Sequence, residues 1–203
     1  ASTSQSGCSL AREVAIWTDP FTVHMATPLA REHPDWLVEA TGPGKEMVGA
    51  DCRILDVTNP GAYDYVKRLY AKIRGEWGFD ALVEADYVYK LLFGSSYAQA
   101  NLTRVEVLRL GMQAIREGFG REPGTFLTSM PPMAVTGVYV DGMRIGNDCA
   151  PLWRKQPERW PWGCVEALTN AAQRCFLASN LWAPDPDCAY FGHEDTRRRW
   201  KLE

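Results

Sequence analysis

Short apolar, β-prone runs alternate with segments of helical periodicity along this chain, and that alternation limits the folds open to it more than any other feature. One helix opens at Thr58-Asn59-Pro60, a cap followed by an N1 proline. Tyr63, Val66, Tyr70 and Ile73 then recur at helical spacing until Gly75 and Gly78. A second opens on the capping box Thr103 to Glu106 and runs through Leu108, Met112 and Ile115 to Gly118. A third is predicted over 165–174. Strands are predicted over 13–17, 79–89, 126–129, 138–145 and 176–182, and a Pro- and Gly-rich loop over 28–50. Strands joined by helices pair in parallel through right-handed crossovers, so the class is α/β, an open sheet or a barrel. With 203 residues the chain falls short of the roughly 250 of a complete (β/α)8 barrel.

Composition removes several classes of function. Hydrophobic residues at 46% and charged residues at 23% fit an ordinary globular domain, expected over 8–200, with the polar start at 1–7 and the final Lys-Leu-Glu at 201–203 set aside as tails. A net charge of −3 offers no field for a phosphate backbone, so nucleic acid is not an expected partner. No apolar run reaches the ~18 residues of a membrane span, which predicts a soluble chain with no membrane partner, cytoplasmic or of unassigned location. Cys8, Cys52, Cys149, Cys164, Cys175 and Cys188 are too scattered for a zinc site or a disulfide scaffold and read as mostly buried thiols. The histidines show no ligand spacing, and Asp185-Pro186-Asp187 is turn chemistry before it is a metal site. Dinucleotide, P-loop and serine-hydrolase motifs are absent, and no cofactor is expected.

Acidic residues at the ends of apolar strands require a reason, and Asp86 and Asp148 are the notable pair. They lie 62 residues apart, close to two β/α units, which places them on next-but-one strands where they can face one another. Two facing carboxylates suit glycosidic bond cleavage, one attacking the sugar and the other protonating the departing oxygen. Arg144, four residues before Asp148, is placed to hold a sugar hydroxyl or a carboxylate. Eight Trp supply much aromatic surface, and Trp17, Trp36, Tyr87, Tyr89, Trp153 and Trp182 sit near strand ends where sugar rings could stack. The plainer alternative is that the acids are separate structural ion-pair partners and the aromatics belong to the core.

Taken together these segments resemble the melibiase-like α-galactosidases of glycoside hydrolase family 36 and their clan D relatives. The segment Trp17-Thr18-Asp19-Pro20-Phe21 looks like that family's third barrel strand, followed by its His33-Pro34-Asp35-Trp36 loop and the Leu55-Asp56-Val57-Thr58-Asn59-Pro60 helix start. Residues 79–87 resemble the fourth strand, 141–153 the sixth and 182–188 the seventh. The resemblance implies a partial TIM-type barrel of about five parallel strands, corresponding to strands 3 to 7. It implies Asp86 as nucleophile and Asp148 as acid/base of a retaining hydrolase, with Trp17, Asp19, Glu84, Tyr87, Arg144, Trp153, Trp182 and Asp185 at the carbohydrate substrate. Glu84 departs from the pattern, standing where the family places a lysine. Strands one, two and eight have no counterparts, which implies a homo-oligomer, most simply a dimer, that covers the open sheet. The alternative function is a non-catalytic carbohydrate-binding or self-associating module.

Overall fold

The alternation becomes two sheets rather than one. The computed structural model describes residues 15–121, 125–129, 138–149, 152–154, 162–178 and 180–187. Readings that involve 8–14, 130–137, 150, 151 and 188–200, Cys8 and Cys188 among them, lie outside the described residues, as do both tails. In chain order the elements are β1 (Ala15–Thr18), β2 (Thr22–His24), α1 (Pro28–Glu32), β3 (Leu37–Val38), α2 (Gly44–Val48), β4 (Cys52–Leu55), α3 (Pro60–Gly75), β5 (Leu82–Ala85), α4 (Arg104–Phe119), β6 (Thr125–Ser129), β7 (Gly142–Arg144), α5 (Cys164–Arg174) and β8 (Ala183–Asp185). The larger sheet has the order β1-β5-β6-β7-β8, and every neighbouring pair is parallel. The class is therefore α/β, with five parallel strands.

Three expectations need correction. The stretch 28–50 is not a plain loop: it holds α1, β3 and α2, and β3 joins β2 and β4 in a small antiparallel sheet ordered β2-β4-β3. Strands of two to four residues are too short for alternation to show in sequence. The strand predicted over 176–182 is instead a 3-10 turn at Cys175–Leu177, with β8 beginning at Ala183. The strand predicted over 79–89 stops at Ala85, because Tyr87 takes the left-handed conformation (φ 52°) and a 3-10 turn follows at Val88–Phe93.

Helix starts match the sequence signals. The Asn59 side chain accepts the Gly61 N–H at 2.9 Å, with Pro60 in the first turn. Thr103 and Glu106 cap one another reciprocally. Buried Asp56 accepts from the Thr58 N–H and hydroxyl and from the Ala98 N–H, so its charge is fully engaged and ties 98–99 to the start of α3.

Side-chain alternation sorts the large sheet into two faces. Val83, Ala85, Phe126, Thr128 and Met143 are buried, and the apolar ones share one core with Val66, Tyr70 and Ile73 of α3 and Leu108, Met112, Ile115 and Phe119 of α4. Thr18, Ala85, Thr128, Met143 and Pro184 form one cross-strand row on this side. The Thr18 hydroxyl reaches the Tyr70 hydroxyl at 2.6 Å. Arg116 of α4, itself buried, clamps the sheet by pairing with Asp141 at 2.7 Å, while Asp141 also accepts the Phe126 N–H.

The helices α3 and α4 approach closely because α4 presents glycine at the contact. A Cβ at Gly118 would run into the backbone carbonyl oxygen of Lys67, and one at Gly111 would lie 2.5 Å from Leu91 and 2.7 Å from Phe21. Alanine gains up to ~1 kcal/mol over glycine in a helix interior, but overpacking against an unyielding backbone costs about 1–3 kcal/mol. The clash should win, so Gly118→Ala is expected to lower the urea midpoint of unfolding; an unchanged or raised midpoint would show that the helices separate at little cost.

Candidate active site

One residue beyond the core-facing row, the other face of the sheet collects charge. Arg144 on β7 is registered against Asp185 on β8, and Ser129 on β6 completes the row. Asp19 and Asp86 stand at the same level, each following directly on β1 and β5, because the Asp86 N–H continues the ladder to the Thr18 carbonyl at 2.9 Å. Two residues earlier on this face, Glu84 is registered against Trp17. These are the carboxyl ends of parallel strands, where open α/β sheets place their ligands. The sheet thus brings Trp17, Asp19, Glu84, Asp86, Arg144 and Asp185 together, and Asp148 follows four residues after Arg144.

Asp86 and Asp148 follow β5 and β7, with β6 between them, as their spacing predicts. Asp86 accepts the indole N–H of Trp17 at 3.1 Å and the Tyr87 N–H at 2.7 Å, which fixes its carboxylate. Tyr87 meets Trp17 edge to face, with ring centres 5.9 Å apart. Its hydroxyl is pushed up by burial and then by the charges of Asp86, Asp148 and Asp19, so it lies within the field of both members of the pair.

Arg144 organises the far side. Its Nη2 donates to Asp148 Oδ1 and to Asp187 Oδ2, both at 2.8 Å. Burial works against its charge, but the bond to Asp148 and the charges of Asp187, Asp148 and Asp185 outweigh it and hold its pKa above the ordinary value. Asp148 keeps a side chain 76% exposed, the most open carboxylate of the group. Asp187 also accepts the Cys149 N–H at 2.6 Å and donates its own N–H to Asp185 at 2.9 Å.

Two residues of this constellation were not picked out from sequence. Asp187 belongs to a turn, as its motif suggests, with φ 73°, yet its carboxylate also fixes Arg144. Lys90, 6% exposed, pairs with Asp19 at 2.8 Å, donates to Thr22 at 3.0 Å and lies 4.4 Å from the Tyr87 ring centre. Nothing in its surroundings in the sequence signals burial; only the positive φ at Tyr87 turns it back under the site.

Trp153 and Trp182 do not join the group as expected. Trp182 precedes β8 on the core-facing side, is 3% exposed and has no open ring face for a sugar. Trp153 packs on Cys149, Cys164 and Ala167. Trp36 stacks on His33, with ring centres 3.7 Å apart, and leans on Gly61 at the start of α3. The described cysteines Cys52, Cys149, Cys164 and Cys175 are free thiols, Cys149 and Cys164 buried, Cys52 partly so and Cys175 exposed. Among the described residues no group of three or more acidic, His or Cys side chains is arranged to hold a metal, and no helix is long and apolar enough to cross a membrane.

Carboxylates and a shared guanidinium thus gather at the ends of parallel strands. No family model matches it. An α-galactosidase of Escherichia coli is 31% identical over 72 residues, which cover 36% of this chain and 10% of that protein. The α-galactosidase TtGalA of Thermus thermophilus, solved with stachyose, superposes with a TM-score of 0.66 at 26% identity, covering 86% of this chain and 38% of that one. The same enzyme with p-nitrophenyl α-D-galactopyranoside gives 0.67 at 25% identity, covering 88% and 37%. The chain is a relative of glycoside hydrolases. Among them it is related to the melibiase-like α-galactosidases, and it spans about a tenth of the curated relative and under two fifths of the Thermus enzyme.

Glu84 carries a consequence for pH. Burial, then the charge of Asp86, raise its pKa above the ordinary 4.5; Arg144 offsets part of this, while Asp185 and Asp187 add to it. A carboxyl that holds its proton more tightly in the folded chain contributes stability below its unfolded value and withdraws it as pH climbs through the raised folded value. Glu84→Gln keeps the neutral form throughout. Its melting temperature should match the parent near about pH 4 and exceed it near about pH 7, and a difference that does not grow over that range would contradict the burial of this carboxyl.

Proposed function

We propose that this chain carries the catalytic face of a retaining glycoside hydrolase that acts on α-galactoside-like sugars. The observation that carries the reading is where buried polar atoms are left unpaired. Of three such side-chain atoms among the described residues, two are Asp19 Oδ1 and Arg144 Nε, in the same cross-strand row as Asp86. An orphaned buried polar atom costs about 1–3 kcal/mol, so its persistence beside an open strand end favours a ligand that completes it. Sugar hydroxyls donate to one and accept from the other.

In this reading Asp86, held by Trp17 and the Tyr87 N–H, attacks the anomeric carbon while protonated Asp148 donates to the leaving oxygen. Asp148 then takes a proton from water as the sugar is released. Its exposure suits an exchange with water, and Arg144, shared with Asp187, can hold it without being wholly committed to it. Retention requires the carboxyl groups about 5–5.5 Å apart when the sugar is bound. The relatives bearing the name α-galactosidase, and the Thermus structures with stachyose and an α-galactoside, support the sugar class.

The five strands are proposed as an arc of a barrel, with the charged face turned inward. Edge strand β1 borders a groove of about 660 Å³ lined by Ile16, Leu29, Leu69, Ile73 and Trp77, and Trp17 is 54% exposed. Apolar surface beside an open edge favours association, and a second copy is the proposed cover. Light scattering at micromolar concentration should return a mass of two or more chains; a monomer would count against it.

An aryl-glycoside panel tests the activity. Hydrolysis of an α-galactoside should fall at least about a thousandfold in both Asp86→Asn and Asp148→Asn, with melting curves unchanged. The exposure of Asp148 also admits a second reading, a module that binds sugar without cleaving it. Sugar binding in the parent chain with no hydrolysis anywhere in the panel would select that reading.

A further inference from the structure

Glu84 is a residue of this face whose charge is only partly offset, by Arg144. Its carboxylate makes no hydrogen bond or ion pair among the described residues, although it is only partly exposed. The two cations of the site are already engaged: Lys90 by Asp19 and Thr22, Arg144 by Asp148 and Asp187. Strand alternation puts Glu84 on the same face as Asp86, two residues apart, with Trp17 beside it in the neighbouring strand. The fields of Asp86, Asp185 and Asp187 all bear on it with its own sign, and Arg144 alone opposes them.

We infer that Glu84 sets the sugar preference of this site, selecting a hexosamine whose amino group is free and positively charged over the neutral sugar. The inference rests on the glycosidase reading and names the substrate class within it. A neutral sugar hydroxyl offers Glu84 a hydrogen bond in which only the acceptor is charged, and leaves that charge uncompensated. An ammonium group supplies both the donors and the counter-charge, so both partners of the contact are ionised. Acetylating the amine removes the charge and adds bulk, so the N-acetylated sugar should lose the advantage. Asp19 Oδ1, buried and unpaired in the next row, gives the same amino sugar a second acceptor within the site.

The test is a binding titration followed by ligand-observed NMR at about pH 6.5, using D-galactosamine, D-galactose and N-acetyl-D-galactosamine. The parent chain should bind galactosamine at least about tenfold more tightly than the other two, roughly one charge-assisted contact. Glu84→Gln, nearly the same shape without the charge, should bring galactosamine and galactose to within about twofold, and Glu84→Lys should favour galactose. Galactose binding as tight as galactosamine in the parent, or a preference that survives Glu84→Gln, would overturn this inference and leave the glycosidase reading standing. Binding of none of the three sugars would overturn both. Should the variants fail to show the parent's melting transition, the parent's ranking of the three sugars decides the matter alone.

Discussion

Parallel pairing with strict alternation of side chains is the constraint on which the rest of this chain depends. Because successive residues point to opposite faces, a single register places Val83, Ala85, Phe126, Thr128 and Met143 in one core with α3 and α4, and leaves Trp17, Glu84 and Arg144 on the other side. A slip of one residue in β5 would bury Glu84 and Asp86 against α4 and expose Val83 and Ala85. The cost of burying two carboxylates without partners makes that register untenable. The same parity explains why Trp182 belongs to the core although it lies beside a strand end.

The charged face is stabilised pairwise and remains unbalanced as a whole. Lys90 and Arg144, both substantially buried, are each matched by carboxylates at 2.8 Å. Burying these cations is tolerable only because their partners and further hydrogen bonds surround them. What remains over is negative charge around Asp86. That excess disfavours the folded state as carboxyls ionise, and under the proposed function it would favour positive charge developing on a sugar ring. The conflict between stability and site is local to Glu84 and Asp86, while Asp56, bonded through both oxygens, and Asp141, whose Oδ2 holds Arg116 and the Phe126 N–H, serve the fold.

Rigid support lies directly behind this face. Thr18 is hydrogen-bonded to Tyr70 of α3, and Arg116 of α4 pairs with Asp141 just before β7. Both helices therefore brace the strands whose ends carry the site. Gly118 lets α4 lie close against α3, and Gly111 lets it lie against Leu91 and Phe21. Positions on strands are held more firmly than positions on loops, and here most of the charged groups sit on, or one residue beyond, a strand.

The sequence by itself determined the α/β class and the starts of α3 and α4, because caps and helical period are local signals, and the spacing of Asp86 and Asp148 anticipated their place after next-but-one strands. It did not reveal the β2-β4-β3 sheet, whose strands are too short to carry a period. It also missed Lys90 and Asp187. Those two became part of the site only through tertiary structure: the left-handed turn at Tyr87 carries Lys90 back beneath Asp19, and the pairing of β7 with β8 brings Asp187 to Arg144. Which carboxylate meets which cation is set by strand order and register. Those depend on contacts between residues far apart in the chain, and no local pattern records them.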